Sequence, residues 1–97
     1  PWDYNIINLK SGSIDCDNVC LELYDKMLKN NLNVLYDDTS ERAGAKLARA
    51  DLIGLPYQII IGPKGIKDQL YDLKCRKNGD ISRLSYNELL NFVQTKK

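Results

Sequence analysis

The stretch that decides the fold is residues 32–62, which read LNVLYDDTSERAGAKLARADLIGLPYQIIIG. Its first segment, 32–36, is short and rich in apolar residues, and residues 57–61 form a continuous apolar run, so both segments predict β-strands. Residues from about 41 to 53 predict a helix between them, and Gly54 supplies a typical helix end. A strand, a helix and a second strand in this order predict a β-α-β unit with parallel strands.

The same periodicities continue toward the N-terminus and through residue 76. Residues 4–9 predict a first strand, and from Asp15 apolar residues recur every three or four positions, which predicts an amphipathic helix ending at Asn30-Asn31. The Gly62–Gly65 segment predicts a loop that ends the strand before it. Residues 70–76 alternate between apolar and charged, as a half-buried strand does.

The C-terminal part predicts a hairpin followed by a helix. Asn78-Gly79 is a strong signal for a type I′ turn, and the strand after it is predicted over Ile81–Leu84. Ser85 and Glu88 have the spacing of a capping box. The other helices are predicted to begin at Asp15 and at Thr39 or Ser40. The order β-α-β-α-β-β-β-α predicts the α/β class, with a mixed five-stranded sheet flanked by three helices.

Composition narrows the range of functions. The chain has 97 residues, three cysteines and no histidine. The absence of histidine removes the commonest general base and metal ligand, and no phosphate-binding glycine motif occurs. The odd cysteine number argues against a disulfide scaffold, and Cys16, Cys20 and Cys75 are expected to be buried thiols in a reducing cytoplasm.

The distribution of charge is more informative than the net charge of +1. Residues 1–40 hold three lysines and seven acidic residues, a net −4, whereas residues 41–97 hold eleven basic and six acidic residues, a net +5. Such a split between the halves of a chain indicates either a polyanionic partner or a chance placement.

The helix predicted at 41–53 carries a candidate basic face. Arg42, Lys46 and Arg49 are spaced four and three residues apart, which predicts one shared face near the carboxyl edge of the sheet. Basic residues of the later loops and strands are candidates to bind the same polyanion, since each phosphate contact releases counterions. A solvated helix face is the alternative reading of this pattern.

Two segments of the chain resemble a known family. The segment 34–56 resembles the C-terminal anticodon-binding domain of bacterial-type prolyl-tRNA synthetases, in which an aspartate pair ends the second strand. In that family Glu-Arg-Pro-Gly-x-Lys opens the helix and Ala-Asp-Leu-Ile-Gly-Ile-Pro closes it. Residues 74–80 resemble the family's Lys-x-Arg-x-x-Gly-Glu hairpin. Two positions depart from the family pattern: Ala43 replaces its proline, and Thr39 stands where arginine is usual.

The resemblance implies that residues 1–97 are one domain of a longer synthetase and bind the anticodon loop of proline tRNA. Catalysis with ATP and Mg²⁺ then belongs to a separate domain of a cytoplasmic enzyme, which is expected to be a homodimer, and no cofactor is expected in this domain. By matched position Glu41, Arg42, Lys46, Lys74 and Arg76 are expected to contact tRNA; Arg49 and Lys64 are added from spacing and position alone.

Several alternatives stay open at this level. Asp37 and Asp38 are each a candidate base reader, loop brace or helix N-terminal charge. Asp51 is expected to anchor the end of its helix. The chain as a whole could instead be a stand-alone interaction or small-molecule-binding module of the same fold. The third reading is the anticodon-binding domain of a threonyl, glycyl or histidyl synthetase.

Overall fold

The computed structural model describes residues 2–95, which form five strands and four helices around a single sheet. The strands are Tyr4–Asn8 (β1), Val34–Asp37 (β2), Tyr57–Ile61 (β3), Tyr71–Cys75 (β4) and Ile81–Leu84 (β5). The helices are Ile14–Lys29 (α1), Ala43–Ile53 (α2), Pro63–Asp68 (α3) and Tyr86–Thr95 (α4). No helix in this part of the chain is both long and apolar enough to cross a membrane.

The sheet is mixed, as predicted, with the strand order β2-β1-β3-β4-β5. The central strand β1 runs parallel to both neighbours, and Ile6 lies opposite Tyr36 of β2 and Ile59 of β3. Strands β4 and β5 add an antiparallel ribbon. Because β1, β2 and β3 are parallel, the loops that follow Asn8, Asp37 and Ile61 all lie at the carboxyl edge of the sheet.

The two faces of the sheet are covered differently. One face packs against α1 and α4 and contains the main apolar core. Successive side chains of a strand point to opposite faces of the sheet, so every second residue of a strand can belong to this core. The opposite face is covered by α2 over β1. Buried Asn5 and Gln58, which are partners across β1 and β3, lie on that side. The core residues are Tyr4, Ile6, Cys20, Leu23, Met27, Leu32, Val34, Ile59, Ile61, Tyr71, Leu73, Leu89 and Val93.

The predicted elements are present, but the structure adds a fourth helix, α3, where a loop was predicted at Gly62–Gly65. Pro63 occupies its first turn, where a proline presets the helical φ and the missing N–H costs nothing. The Ile66 N–H donates to the Gly62 carbonyl at 3.0 Å and closes the first turn. Six residues are too few for a helical hydrophobic period, so the pattern of apolar residues could not indicate this helix.

Two predicted helix starts were wrong. Helix α1 has Ser13 as its N-cap rather than Asp15, and α2 has Arg42 rather than Thr39 or Ser40. Neither N-cap side chain makes a capping hydrogen bond. The free N–H of Gly12, just before α1, donates instead to the Asp17 carboxylate at 3.3 Å. The loop before α2 is therefore longer than predicted.

The hairpin turn also differs from the prediction. A type I′ turn needs positive φ at both central residues, but here only Gly79 has one, at 73°, and Asn78 does not. The turn is a four-residue loop in which Gly79 N donates to Cys75 O at 2.8 Å and Cys75 N donates to Asp80 O at 2.9 Å. The Asn78 side chain accepts from Asp80 N at 3.0 Å and stabilises the loop.

The capping box at the start of α4 is confirmed. Ser85 N donates to Glu88 Oε1 at 2.9 Å, and Glu88 N donates to Ser85 Oγ at 3.2 Å. The backbone and side-chain hydrogen bonds from Ser85 hold the pKa of Glu88 below its usual value. This motif could be predicted because all of its contacts lie within four consecutive residues.

The cysteines match the expectation in part. Cys16 and Cys20 are buried, whereas Cys75 is half-buried, and all three are free thiols. Burial raises the pKa of Cys20 to about 12, and a hydrogen bond with Tyr36 offsets only part of this effect. Since the thiolate is the reactive form of cysteine, Cys20 behaves as a small apolar core residue.

Candidate nucleic-acid interface

The loop between β2 and α2 lies at the carboxyl edge of the sheet and is held by Arg49. The Arg49 Nη2 donates to Asp37 Oδ2 at 2.6 Å, and its Nη1 donates to Glu41 Oε1. Thr39 completes the cluster through its N–H and hydroxyl, which donate to Asp37 Oδ1 at 3.2 and 2.8 Å. Three residues of the loop region are thus tied to one helical arginine.

Asp37 is a loop brace, which was one of its three predicted roles. Its side chain is only 11% exposed. Burial alone raises the pKa of Asp37, but hydrogen bonds from Arg49 and Thr39 outweigh it and hold the pKa below its usual value. Asp37 is therefore ionised at neutral pH. Asp38, in contrast, has an exposed side chain that makes no hydrogen bond or ion pair within residues 2–95.

Lys46 corrects the prediction of one exposed basic face. Its side chain is fully buried, with an exposure of 0%. The ammonium group donates to the Asn8 carbonyl and to Ser11 Oγ, both at 2.7 Å. The reason is that α2 packs on β1 through the side that carries Lys46 and Ala50, one helical turn apart. In this conformation Lys46 does not reach solvent.

Arg42 is the exposed cation of this region. It is the N-cap of α2 and its side chain is exposed. The Arg42 guanidinium makes no ion pair or hydrogen bond with any side chain between residues 2 and 95. It also lies beside the unpaired N–H groups of the first turn of α2, which favour anions.

The opposite end of α2 is fixed by contacts of Asp51, and the helix ends at Gly54. Asp51 accepts from Gln58 Nε2 at 3.0 Å and from Lys74 Nζ at 3.3 Å, which confirms that it anchors the end of its helix. These hydrogen bonds, first that from Gln58 and then that from Lys74, lower the pKa of Asp51. Gly54 ends α2 with a φ of 68°, as predicted.

The Arg76 guanidinium lies against Gly54. A Cβ atom added at Gly54 would come within 2.9 Å of Arg76 Nε, so the glycine leaves room for this side chain. Neither Arg76 nor the next residue, Lys77, has a side-chain partner in the described part of the chain. Both side chains are exposed at the start of the hairpin loop.

Lys64 lies apart from the basic residues at the two ends of α2. It lines an open groove of about 510 Å³ together with Ile60, Asp72 and Arg83, on the part of the sheet face that α2 leaves uncovered. Asp72 and Lys74 are two residues apart in β4 and so share one side of the sheet, the side on which Lys74 meets α2. Lys64, α2 and the hairpin therefore border the same face.

The predicted site residues are thus not one cluster. Helix α2 has 11 residues and is therefore about 16 Å long, and Arg42 lies at one end of it and Arg76 at the other. Within residues 41–95 the basic side chains do not all share one surface, because Lys46 is buried and Lys64 lines a separate groove. Lys96 and Lys97, which belong to the +5 half, lie outside the described residues. Within residues 2–95 the seven predicted residues fall into three classes: Arg42, Lys64 and Arg76 have no side-chain partner, Glu41, Arg49 and Lys74 are paired, and Lys46 is buried.

Asn8 and Ser11, the partners of Lys46, were not among the predicted site residues. Both follow the carboxyl end of β1, and the edge-of-sheet argument applied to β2 also applies there. In the described range no three His, Cys, Asp or Glu side chains are placed to hold a metal ion. The chemistry that this surface offers is that of hydrogen-bond donors and positive charges for an anionic partner.

Comparison with known proteins identifies the family. The profile of the family described as "Anticodon binding domain" matches residues 3–96. The proline–tRNA ligase of Parvibaculum lavamentivorans is 48% identical over 85 residues, which are 88% of this chain and 19% of that protein. The ligase of Chelativorans sp. is 51% identical over 84 residues, which are 87% of this chain and 19% of that protein. The chain therefore spans about a fifth of the length of these curated relatives.

Solved structures agree on the fold. The structure of prolyl-tRNA synthetase from Cryptosporidium parvum complexed with L-proline and AMP matches 99% of this chain and 23% of that one, with a TM-score of 0.79 at 20% identity. A second structure of that enzyme, complexed with halofuginone and AMPPNP, gives a TM-score of 0.81 at 19% identity. With the family profile covering nearly the whole chain, we conclude that the chain belongs to the family of anticodon-binding domains.

Proposed function

We propose that this chain is the anticodon-binding domain of a proline–tRNA ligase and that it binds the anticodon stem-loop of proline tRNA. The activation of proline with ATP and Mg²⁺ then belongs to a catalytic domain of the same polypeptide, in a cytoplasmic enzyme that acts as a homodimer. The names of the curated relatives support this assignment, as does the share of their length that the chain matches. The domain itself contributes binding rather than chemistry.

The observation that carries the proposal is the pair of free cations at the two ends of α2. Arg42 and Arg76 are exposed, and neither is neutralised by an acidic side chain within residues 2–95. RNA carries one phosphate per nucleotide, so a stretch of RNA that runs along α2, which is about 16 Å long, presents more than one phosphate to the helix. A polyanion of this length can engage both ends of the helix together.

We further propose that the carboxylates at the start of α2 read the bases of the anticodon loop. The bases of a single-stranded loop are unstacked and expose their edges, and a carboxylate can accept hydrogen bonds from base amino groups. Asp38 is exposed and has no partner in the described part of the chain. Glu41 is fixed by Arg49 through Oε1, and a carboxylate has further acceptor sites.

The test is a titration of the full-length protein that contains this chain with transcripts of proline tRNA at several salt concentrations. We expect tight binding that weakens as salt rises, and weaker binding of a transcript whose anticodon has been replaced. Equal affinity for both transcripts would exclude anticodon reading. A lack of binding at low salt would refute the proposal as a whole and leave the stand-alone interaction module as the better reading.

Two substitutions test the placement of the surface. Arg42→Ala and Arg76→Ala should each weaken binding and lower the slope of log K against log salt by about 0.7, the value for one phosphate contact on single-stranded nucleic acid. Lys29→Ala is the matched control, because Lys29 is an exposed lysine of α1 that pairs with Asp25. If Lys29→Ala lowers the slope and neither arginine variant does, the surface lies elsewhere.

A further inference from the structure

Lys46 is the one fully buried lysine of the described residues, and the binding of RNA phosphates does not account for it. An ammonium group without exposure to water is costly unless its hydrogen bonds are satisfied. None of the ion pairs formed within residues 2–95 includes Lys46. Its contacts are an uncharged carbonyl and an uncharged hydroxyl, so its position is not explained by pairing with an acidic residue.

The two groups that Lys46 binds belong to one turn, between β1 and α1. Asn8 O is the carbonyl at the end of β1, and Ser11 Oγ lies three residues later. The Asn8 side chain fixes the same turn, since its Nδ2 donates to Asp17 Oδ1 at 2.8 Å and its Oδ1 accepts from Lys10 N at 3.1 Å. Lys46 therefore attaches α2 to the start of α1.

Ser11 carries this attachment to a second loop. A hydroxyl has one hydrogen to donate, and the ammonium of Lys46 occupies Ser11 Oγ as an acceptor. The Ser11 hydrogen is therefore free for the β2–α2 loop, where Ser11 Oγ lies 2.6 Å from Thr39 O and 3.3 Å from Asp38 O. The chain of contacts runs from Lys46 through Ser11 to the backbone of residues 38–39.

We propose that Lys46 is a positioning residue whose buried ammonium, acting through Ser11, fixes the loop of residues 38–42 in the geometry that presents Arg42 to RNA. The inference rests on the proposed function for its RNA part only. Lys46 touches no RNA in this account. This positioning role differs from the direct tRNA contact that the resemblance to the synthetase family implied for Lys46.

The first test measures millisecond hydrogen exchange in the full-length protein that contains this chain. Lys46→Met keeps the length of the side chain and removes its ammonium, and Ser11→Ala removes the relay with a smaller change. We expect both variants to exchange about tenfold faster in peptides covering residues 9–13 and 38–42, because hydrogen bonds to a charged group are lost. The hairpin loop at residues 76–80 is the internal control and should not change.

The second test measures affinity for proline tRNA and its salt dependence. Lys46→Met should weaken binding about tenfold while the salt slope stays at the wild-type value, since no phosphate contact is lost. Combined with Ser11→Ala, it should weaken binding by less than the product of the two single effects, because both act on one path. Lys29→Met is the control for the loss of a lysine and should not alter affinity.

These outcomes separate the inference from the proposed function. A slope lowered by about 0.7 in Lys46→Met would mean that Lys46 contacts a phosphate directly and would overturn the positioning role. Unchanged exchange in both variants would also overturn it. If the unmodified protein fails to bind the tRNA, the proposed function fails, while the exchange comparison still decides whether Lys46 fixes the loop.

Discussion

At the scale of single residues, three basic side chains that are close together in the sequence have different roles in the structure. Arg42 is exposed, Arg49 is paired with two carboxylates and Lys46 is buried, although the three are closely spaced in the chain. One cation is therefore available to a ligand, and two organise the loop that holds it. The division of roles depends on which carboxylates and carbonyls the fold brings near each side chain.

The brace between Asp37 and Arg49 should make part of the stability depend on pH. The folded pKa of Asp37 lies below its usual value, so its contribution is present above the unfolded pKa of about 3.9 and is lost as pH falls through the folded pKa. We expect Asp37→Asn to lower the free energy of unfolding by about 1 kcal/mol at pH 7 and by progressively less below about pH 4. Denaturant unfolding at several pH values measures this.

The control is Asp38→Asn, which removes the neighbouring exposed carboxylate. Because Asp38 has no side-chain partner in the described range, its loss should leave stability at pH 7 unchanged within about 0.5 kcal/mol. If Asp37→Asn proves as neutral as Asp38→Asn at pH 7, the brace does not stabilise the loop.

The burial of Lys46 could not be predicted from the sequence, for a physical reason. Most residues of α2 are small or apolar, so the apolar period does not indicate which side faces the sheet. The outcome is inverted relative to hydrophobicity: Leu52 is 88% exposed while Lys46 is 0% exposed. Lys46 donates to the Asn8 carbonyl at the end of β1 and to the Ser11 hydroxyl in the turn after it, and both contacts join parts of the chain that are 35 or more residues apart.

At the scale of elements, the end of α2 links the helix to the hairpin. Gly54 has a left-handed φ of 68° and lies under the Arg76 side chain. We expect Gly54→Ala to cost about 1 kcal/mol of stability, because a Cβ disfavours this conformation. It should also displace the Arg76 guanidinium and so weaken RNA binding, which calorimetric unfolding and a tRNA titration measure.

Gly44 provides a matched control in the same helix. A Cβ added at Gly44 meets nothing within 4 Å, and its φ is not positive. Gly44→Ala should therefore stabilise the protein by about 0.5–1 kcal/mol. Destabilisation by Gly44→Ala equal to that by Gly54→Ala would show that the effect at Gly54 is not conformational.

The elements that sequence patterns predicted well are those with local causes. The capping box of α4 and the glycine end of α2 depend on a few consecutive residues, and both are confirmed. The predicted starts of α1 and α2 were wrong because the actual N-cap residues, Ser13 and Arg42, make no side-chain capping hydrogen bond. Before α1 the Gly12 N–H donates to the Asp17 carboxylate, and before α2 the Ser11 hydroxyl donates to Thr39 O. Neither contact is a side-chain cap at the N-cap residue, which is the signal that a sequence pattern shows.

At the scale of the whole molecule, the apolar core and the candidate RNA surface lie on opposite faces of the sheet. The core joins α1 and α4 to one face, and α2 lies on the other. Stability and RNA binding should therefore respond to different substitutions. A domain arranged in this way can vary its binding surface without repacking its core.

Leu89→Ala tests this separation. Leu89 is fully buried, so we expect a loss of about 2–5 kcal/mol in the free energy of unfolding from the cavity left behind. At temperatures where the variant stays folded, its tRNA affinity should equal that of the wild type. Leu52→Ala is the control, because a residue that is 88% exposed should change stability by less than about 0.5 kcal/mol. A folded Leu89→Ala protein with weakened tRNA binding would argue against separate faces.

The central claim, that the α2 face of the sheet binds the anticodon loop, is tested most directly by cross-linking. A proline tRNA with a photoreactive base in its anticodon loop is bound to the full-length protein and irradiated, and the attached peptide is identified by mass spectrometry. We predict attachment to peptides containing residues 38–42 or 74–80. Attachment to the exposed side of α1, around Leu21 and Leu28, with none near α2, would contradict the claim.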